Sequence, residues 1–140
     1  MKRIPVLAWM PLLLSLAQGV QAVTGEFHPA AYPPITQEEL VKDPAAHAGK
    51  KYRVTDPFQF CGSDFCVQIR KTKLNTRDYL CVTLGNLCLV RMYVKKDHPD
   101  APLVAKLRKG DRVTVYGTFD YMGSNYRYMV VDKLVLETEK

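Results

Sequence analysis

The sequence predicts a mainly β chain that closes into one small barrel of five to six strands. Three observations carry this. Apolar and polar residues alternate through 50–60, 79–95 and 112–136, the period of a strand with one buried face. Gly, Asn, Asp and Pro punctuate the runs between them. Helical spacing appears only in two short stretches, one ahead of the strands and one between the third and the fourth.

Residues 1–22 stand apart. Lys2 and Arg3 precede an almost wholly apolar run over 4–17, and Val20-Gln21-Ala22 ends it with small residues. That is the pattern of a cleaved secretory signal, and the run is short for a membrane span. Export to a periplasmic or extracellular space is therefore expected, with no stable membrane span after cleavage. Without Lys2 and Arg3 the chain has 18 Lys and Arg against 14 Asp and Glu. A modest excess of cations suits an anionic partner and is also ordinary for a soluble domain.

Residues 23–34 hold Pro29, Pro33 and Pro34 and read as a flexible lead-in whose Phe27 and Tyr32 pack on the barrel. A single domain over 35–140 follows. Thr36 with Glu39 three residues later is a capping box, and Ile35 is placed to staple the short helix over 36–42. Leu40 and Val41 are its buried side, and Asp43-Pro44 closes it.

The first strand spans 50–60, with Pro57 forcing a bend or an edge. Val67 and Ile69 continue or repeat it, and 71–78 is a basic loop. Residues 79–95 form a hairpin. Leu80, Val82 and Leu84 face the core from one arm; Val90, Met92 and Val94 face it from the other. A three-residue connection over 85–87, setting Val82 opposite Val90, keeps both apolar sets on one wall. Leu103, Val104 and Leu107 form a helix ended by Gly110. In the next strand Val113, Val115 and Gly117 share a face, and the mid-strand glycine predicts a bulge. A Met122–Asn125 turn leads to the last strand over 126–136.

The spacing L-x-x-x-L-x-x-G-D-x-V-x-V-x-G is carried by Leu103, Leu107, Gly110, Asp111, Val113, Val115 and Gly117. With the strands around it, this resembles the end of an OB-fold, a five-stranded barrel with a helix between strands three and four. The pattern is similar to secreted bacterial OB-fold proteins and to nucleic-acid-binding barrels of the tRNA anticodon-binding type. The resemblance implies a binding face on the second and third strands, flanked by two loops.

Arg and Tyr suit phosphate contact and stacking on flat rings. The outward residues Arg70, Tyr79, Arg91, Tyr93 and Tyr116, with Lys71, Lys73 and Arg77 of the basic loop and Tyr126 of the last strand, form the expected ligand-binding set. The expected partner is an extended or anionic ligand, oligonucleotide or oligosaccharide-like. The alternative is an envelope protein partner or an inhibitor module.

Cys61, Cys66, Cys81 and Cys88 in an exported chain point to two disulfides, the local pairs Cys61–Cys66 and Cys81–Cys88 being favoured among three possible pairings. Zinc ligation is disfavoured by C-x4-C and C-x6-C spacing. His28, His47 and His98 share no ligand spacing and read as exposed loop histidines. Asp111 reads as a residue that satisfies turn amides. No nucleophile–base set, phosphate loop or metal motif is present. A non-enzymatic module without cofactor or metal is expected.

Overall fold

The computed structural model describes residues 26–62, 74, 76–85, 89–123 and 126–138. The signal segment, the strand read at 67–70, Arg70, Lys71, Lys73, Cys66 and Cys88 lie outside them.

The described chain is mainly β. Its strands are β1 (Lys51–Gly62), β2 (Tyr79–Leu84), β3 (Arg91–Lys95), β4 (Arg112–Met122) and β5 (Tyr126–Leu136). Short helices α1 (Gln37–Lys42) and α2 (Pro44–His47) precede the sheet, and α3 (Ala101–Val104) lies between β3 and β4. The strands pair in the order β1-β2-β3-β5-β4, and β4 pairs back to β1. All pairings in this ring are antiparallel except β3 with β5.

Long β1 serves two neighbours. Lys51 to Pro57 pair with β4, and Phe58 to Gly62 pair with β2 after an irregularity between Phe58 and Phe60. Pro57 has no N–H to donate to a ladder, which places the hand-over where the sequence predicts a bend. Inside the ring, Val54, Val82, Leu84, Val90, Met92, Val94, Val113, Val115, Phe119, Met129 and Leu134 are buried. Leu40 of α1 and Val104 of α3 join this cluster.

The α1 start forms as read. The Thr36 hydroxyl oxygen accepts the Glu39 N–H at 3.1 Å, and Ile35 packs on the core. Gly110 sits at φ 96°, the left-handed region that favours glycine. The Asp111 carboxylate accepts the Arg108 N–H at 2.8 Å.

Three expectations are corrected. The helix read over 103–109 is a single α turn at Ala101–Val104, followed by tighter bonds from Lys106 N–H to Leu103 and Leu107 N–H to Val104. Pro102, which lacks an N–H and suits the first turn, pulls the start forward. The β2–β3 register is Val82 with Met92 rather than with Val90, so the connection is longer than three residues. The histidines are not all solvent-facing: His47 Nδ1 bonds the Tyr52 hydroxyl at 2.7 Å, and His98 Nε2–H donates to the Asp132 carbonyl at 2.8 Å. Both are half-buried because each satisfies a neighbouring polar group.

One side chain unremarked in the sequence pins the ring to α1. Gln37 is 3% exposed. Its Nε2 donates to the Leu84 carbonyl and to Asp56 Oδ2, each at 2.9 Å, and its Oε1 accepts the Val90 N–H at 2.9 Å. The two ends of the β2–β3 connection are thus held by one amide.

Candidate functional site

Alternation along β2, β3 and β5 sends one residue in two away from the core. On the outer wall these are Tyr79, Cys81 and Thr83; Arg91, Tyr93 and Lys95; and Tyr126 and Tyr128. The parallel register sets Arg91 beside Tyr128 and Tyr93 beside Val130, which joins β3 and β5 into one surface.

The result is a second, smaller cluster outside the main core. Cys81, Tyr93 and Tyr126 are buried, and Leu74, Tyr79, Met122 and Tyr128 pack around them. Tyr93 meets Tyr79 at 6.3 Å and 84°, and Tyr128 at 5.9 Å and 68°. Tyr126 lies 5.8 Å from Tyr128. These are edge-to-face and tilted contacts, which place a positive ring edge on a negative ring face. The Tyr93 and Tyr126 hydroxyls hydrogen-bond to each other. Arg91 lies over the Tyr126 ring, 5.3 Å from its centroid, within cation–π range.

Of the expected set, Tyr79, Arg91, Tyr93 and Tyr126 come together. They do so in two layers. Tyr93 at 1% and Tyr126 at 4% exposure are the floor. Tyr79, Arg91 and Tyr128 are half-buried and present ring or guanidinium surface outward. Arg77 is exposed on the 3-10 turn Thr76–Asp78 that leads into Tyr79. It lines a shallow cleft of about 260 Å³ with Asp78, Lys95, Lys96 and Asp97. Phe60, 56% exposed, stands on β1 opposite Thr83.

Tyr116 is elsewhere. It belongs to β4, between Arg53 of β1 and Lys133 of β5. Phe27 and Tyr32 of the lead-in cover it, with centroids 4.9 Å and 5.6 Å away. Tyr128 is the member that the ligand set lacks. Its signal is the Tyr126-x-Tyr128 spacing, which puts both rings on one face of a strand.

Burial pushes the Tyr126 phenol up to about 12 from an ordinary 10.0, with nearby Arg91 working against the rise and Tyr128 adding to it. Burial, and then Asp120, raise Tyr128 as well. Tyr32 is lifted to about 12 by burial and by its bond to Asp132. The folded state thus keeps protons that the unfolded state releases near pH 10. The stability these phenols contribute is whole below pH 10 and is lost as pH rises towards 12. In an absorbance titration at about 295 nm, Tyr32 and Tyr126 are expected to ionise only near pH 12 or on unfolding. Tyr32 and Tyr126 titrating near pH 10 with the fold intact would refute the packing of both clusters.

Among the described residues no group of His, Cys, Asp and Glu is disposed to hold a metal ion. No family model matches the sequence, and no curated protein matches it. Solved structures do. An asparaginyl-tRNA synthetase from Pyrococcus horikoshii superposes with a TM-score of 0.53 at 15% identity, over 73% of this chain and 22% of its own. A protein assigned as an aspartyl-tRNA synthetase from Leishmania major Friedlin gives 0.53 at 10% identity, over 91% of this chain and 23% of its own. OBody AM1L10, bound to hen egg-white lysozyme, gives 0.48 at 14% identity, over 68% and 85%. The chain spans less than a quarter of the length of either synthetase. At such identities the two synthetases share a fold with this chain, and that fold agrees with an OB-like arrangement of five strands and short helices.

Proposed function

We propose that this chain is an exported, non-enzymatic OB-type barrel that binds an extended anionic ligand across the outer wall of β2, β3 and β5. The observation that carries the reading is the layered cluster: a buried Tyr93–Tyr126 floor with Tyr79, Tyr128 and Arg91 held at its surface. Rings locked edge-to-face lose little freedom when a flat group stacks on them, and a guanidinium beside them suits a phosphate or other anion. The cations of Arg77, Lys95 and Lys96 extend the surface at one end. An oligonucleotide is the ligand class with both flat rings and regular negative charge.

Export rests on the charged start and apolar run of residues 1–22. Among the described residues no helix is long and apolar enough to cross a membrane. Disulfides belong to the same proposal. Cys81 is buried at 1% exposure, and Cys81–Cys88 is the pair proposed for it.

Fluorescence anisotropy with a labelled single-stranded oligonucleotide tests the reading. Binding is expected to weaken steeply as salt rises, because phosphate contacts release counterions. The double variant Tyr79→Ala, Arg91→Ala is expected to bind at least about tenfold more weakly, from loss of one stacking and one charged contact. Tyr93 is unsuited to this test, since a buried ring cannot be removed without disturbing the fold. Unchanged affinity in the double variant would refute the site.

Exposed Phe60 beside this wall favours a second reading, an envelope protein partner. A stoichiometric protein complex, insensitive to salt and broken by Phe60→Ser, would select it over the first.

A further inference from the structure

A second aromatic group lies on the wall formed by β1, β4 and β5. Here the lead-in crosses the sheet, held by backbone bonds between Arg53 and residues Pro33 and Ile35. Phe27, Tyr32 and Tyr116 pack mutually, with centroid separations of 4.9 to 5.6 Å. Beside them a cleft of about 370 Å³ opens between lead-in and sheet, with Glu26, Phe27, Tyr32, Lys51 and Asp132 in its lining. That volume lies in the range of small-molecule sites.

The cleft is shaped by an irregularity of the sheet. Tyr116 pairs with Lys133, but Gly117 pairs with Val131, so Asp132 has no opposite residue on β4. A bulge of this kind re-aims a side chain. The Asp132 carboxylate accepts the Tyr32 hydroxyl at 2.7 Å, linking residues one hundred apart in the chain.

Charge and ring faces point the same way. The Lys51 ammonium lies over the Tyr32 ring, 5.4 Å from its centroid. This marks the ring face as a place where a cation rests. Among the described residues, neither Lys51 nor Glu26 is in an ion pair, and Asp132 pairs with no cation. Two carboxylates and one ammonium leave the cleft with an excess of negative charge.

We propose that this cleft binds a small organic ammonium compound, its cationic head against the Tyr32 and Phe27 rings between Glu26 and Asp132. Lys51 is the internal competitor for the same ring face. The site is separate from the β2–β3–β5 wall and does not depend on the function proposed for it.

The test is an amide NMR titration of the purified protein with benzylamine, benzyl alcohol and benzoate, which share a body and differ in charge. Benzylamine is expected to give saturable shifts at Tyr32, Lys51 and Asp132, and the other two none. Lys51→Met is expected to tighten benzylamine binding about threefold by removing the competitor, and Glu26→Gln to weaken it about threefold. Both side chains lie on the outside of the fold, so neither change threatens folding. A merely structural role for Lys51 would not tighten binding when it is removed. Absence of saturable shifts at millimolar benzylamine, equal shifts with benzyl alcohol, or either variant leaving affinity unchanged would overturn the proposal.

Discussion

Gly117→Ala is expected to destabilise the protein by about 3 kcal/mol, the upper part of the range for overpacked sites. A Cβ at this position would lie 2.3 Å from the Val130 carbonyl oxygen, 3.0 Å from its carbonyl carbon and 3.2 Å from Val131 Cα. All three are backbone atoms of the neighbouring strand, so no side chain can swing aside. Relief requires β5 to move away from β4. Met129 and Val131, both buried in the core, would move with it. The requirement is for space, not for unusual backbone angles, since Gly117 is not among the glycines with positive φ. Urea unfolding checks this: the midpoint should fall with little change in slope. A loss under about 1 kcal/mol would mean that the strands are not packed so closely at the bulge.

Gln37→Leu is expected to cost about 2–4 kcal/mol, although it places an apolar residue of similar size at a buried position. The penalty comes from the groups left behind. The Val90 N–H loses its acceptor and the Leu84 carbonyl loses a donor, at a site from which water is largely excluded. Each buried polar group stripped of its partner costs about 1–3 kcal/mol. Asp56 also loses the amide that its carboxylate accepts. Amide exchange is the sharper readout. The Val90 amide should exchange faster in the variant than the amides of β4, because the β2–β3 connection loosens before the ring does. Equal protection of Val90 in both proteins would show that another acceptor holds it.

Much of the fold is legible because strand periodicity fixes which wall a residue joins. Val113, Val115, Met92 and Val94 are buried where alternation puts them. Local chemistry marks the Thr36 cap, the Gly110 turn, the Pro57 bend and the Gly117 bulge. Register is less accessible. Val82 opposite Val90 and Val82 opposite Met92 differ by two residues, and a slip of two returns every side chain to the same wall. Alternation therefore cannot choose between them. The choice falls to long-range contacts such as Gln37, which reach across more than fifty residues to Val90.

The same limit applies to the candidate site. Parity shows that Tyr79, Tyr93, Tyr116 and Tyr126 leave the core, but not which side of the ring each occupies. That depends on strand order. The parallel closure of β3 on β5 brings Tyr126 and Tyr128 to Tyr93 and leaves Tyr116 with β1 and β4. Parity also cannot show that an outward ring is buried. Tyr93 is covered because Tyr79 and Tyr128 close over it, a second layer that no single strand encodes.

The most direct measurement is a map of amide shift changes when a saturating single-stranded oligonucleotide is added to the labelled protein. The changes are expected to concentrate at Tyr79, Arg91, Lys95 and Tyr128, and to leave Tyr52, Tyr116 and Thr118 undisturbed. Changes confined to β1 and β4, or no saturable change at low salt, would contradict a ligand wall on β2, β3 and β5.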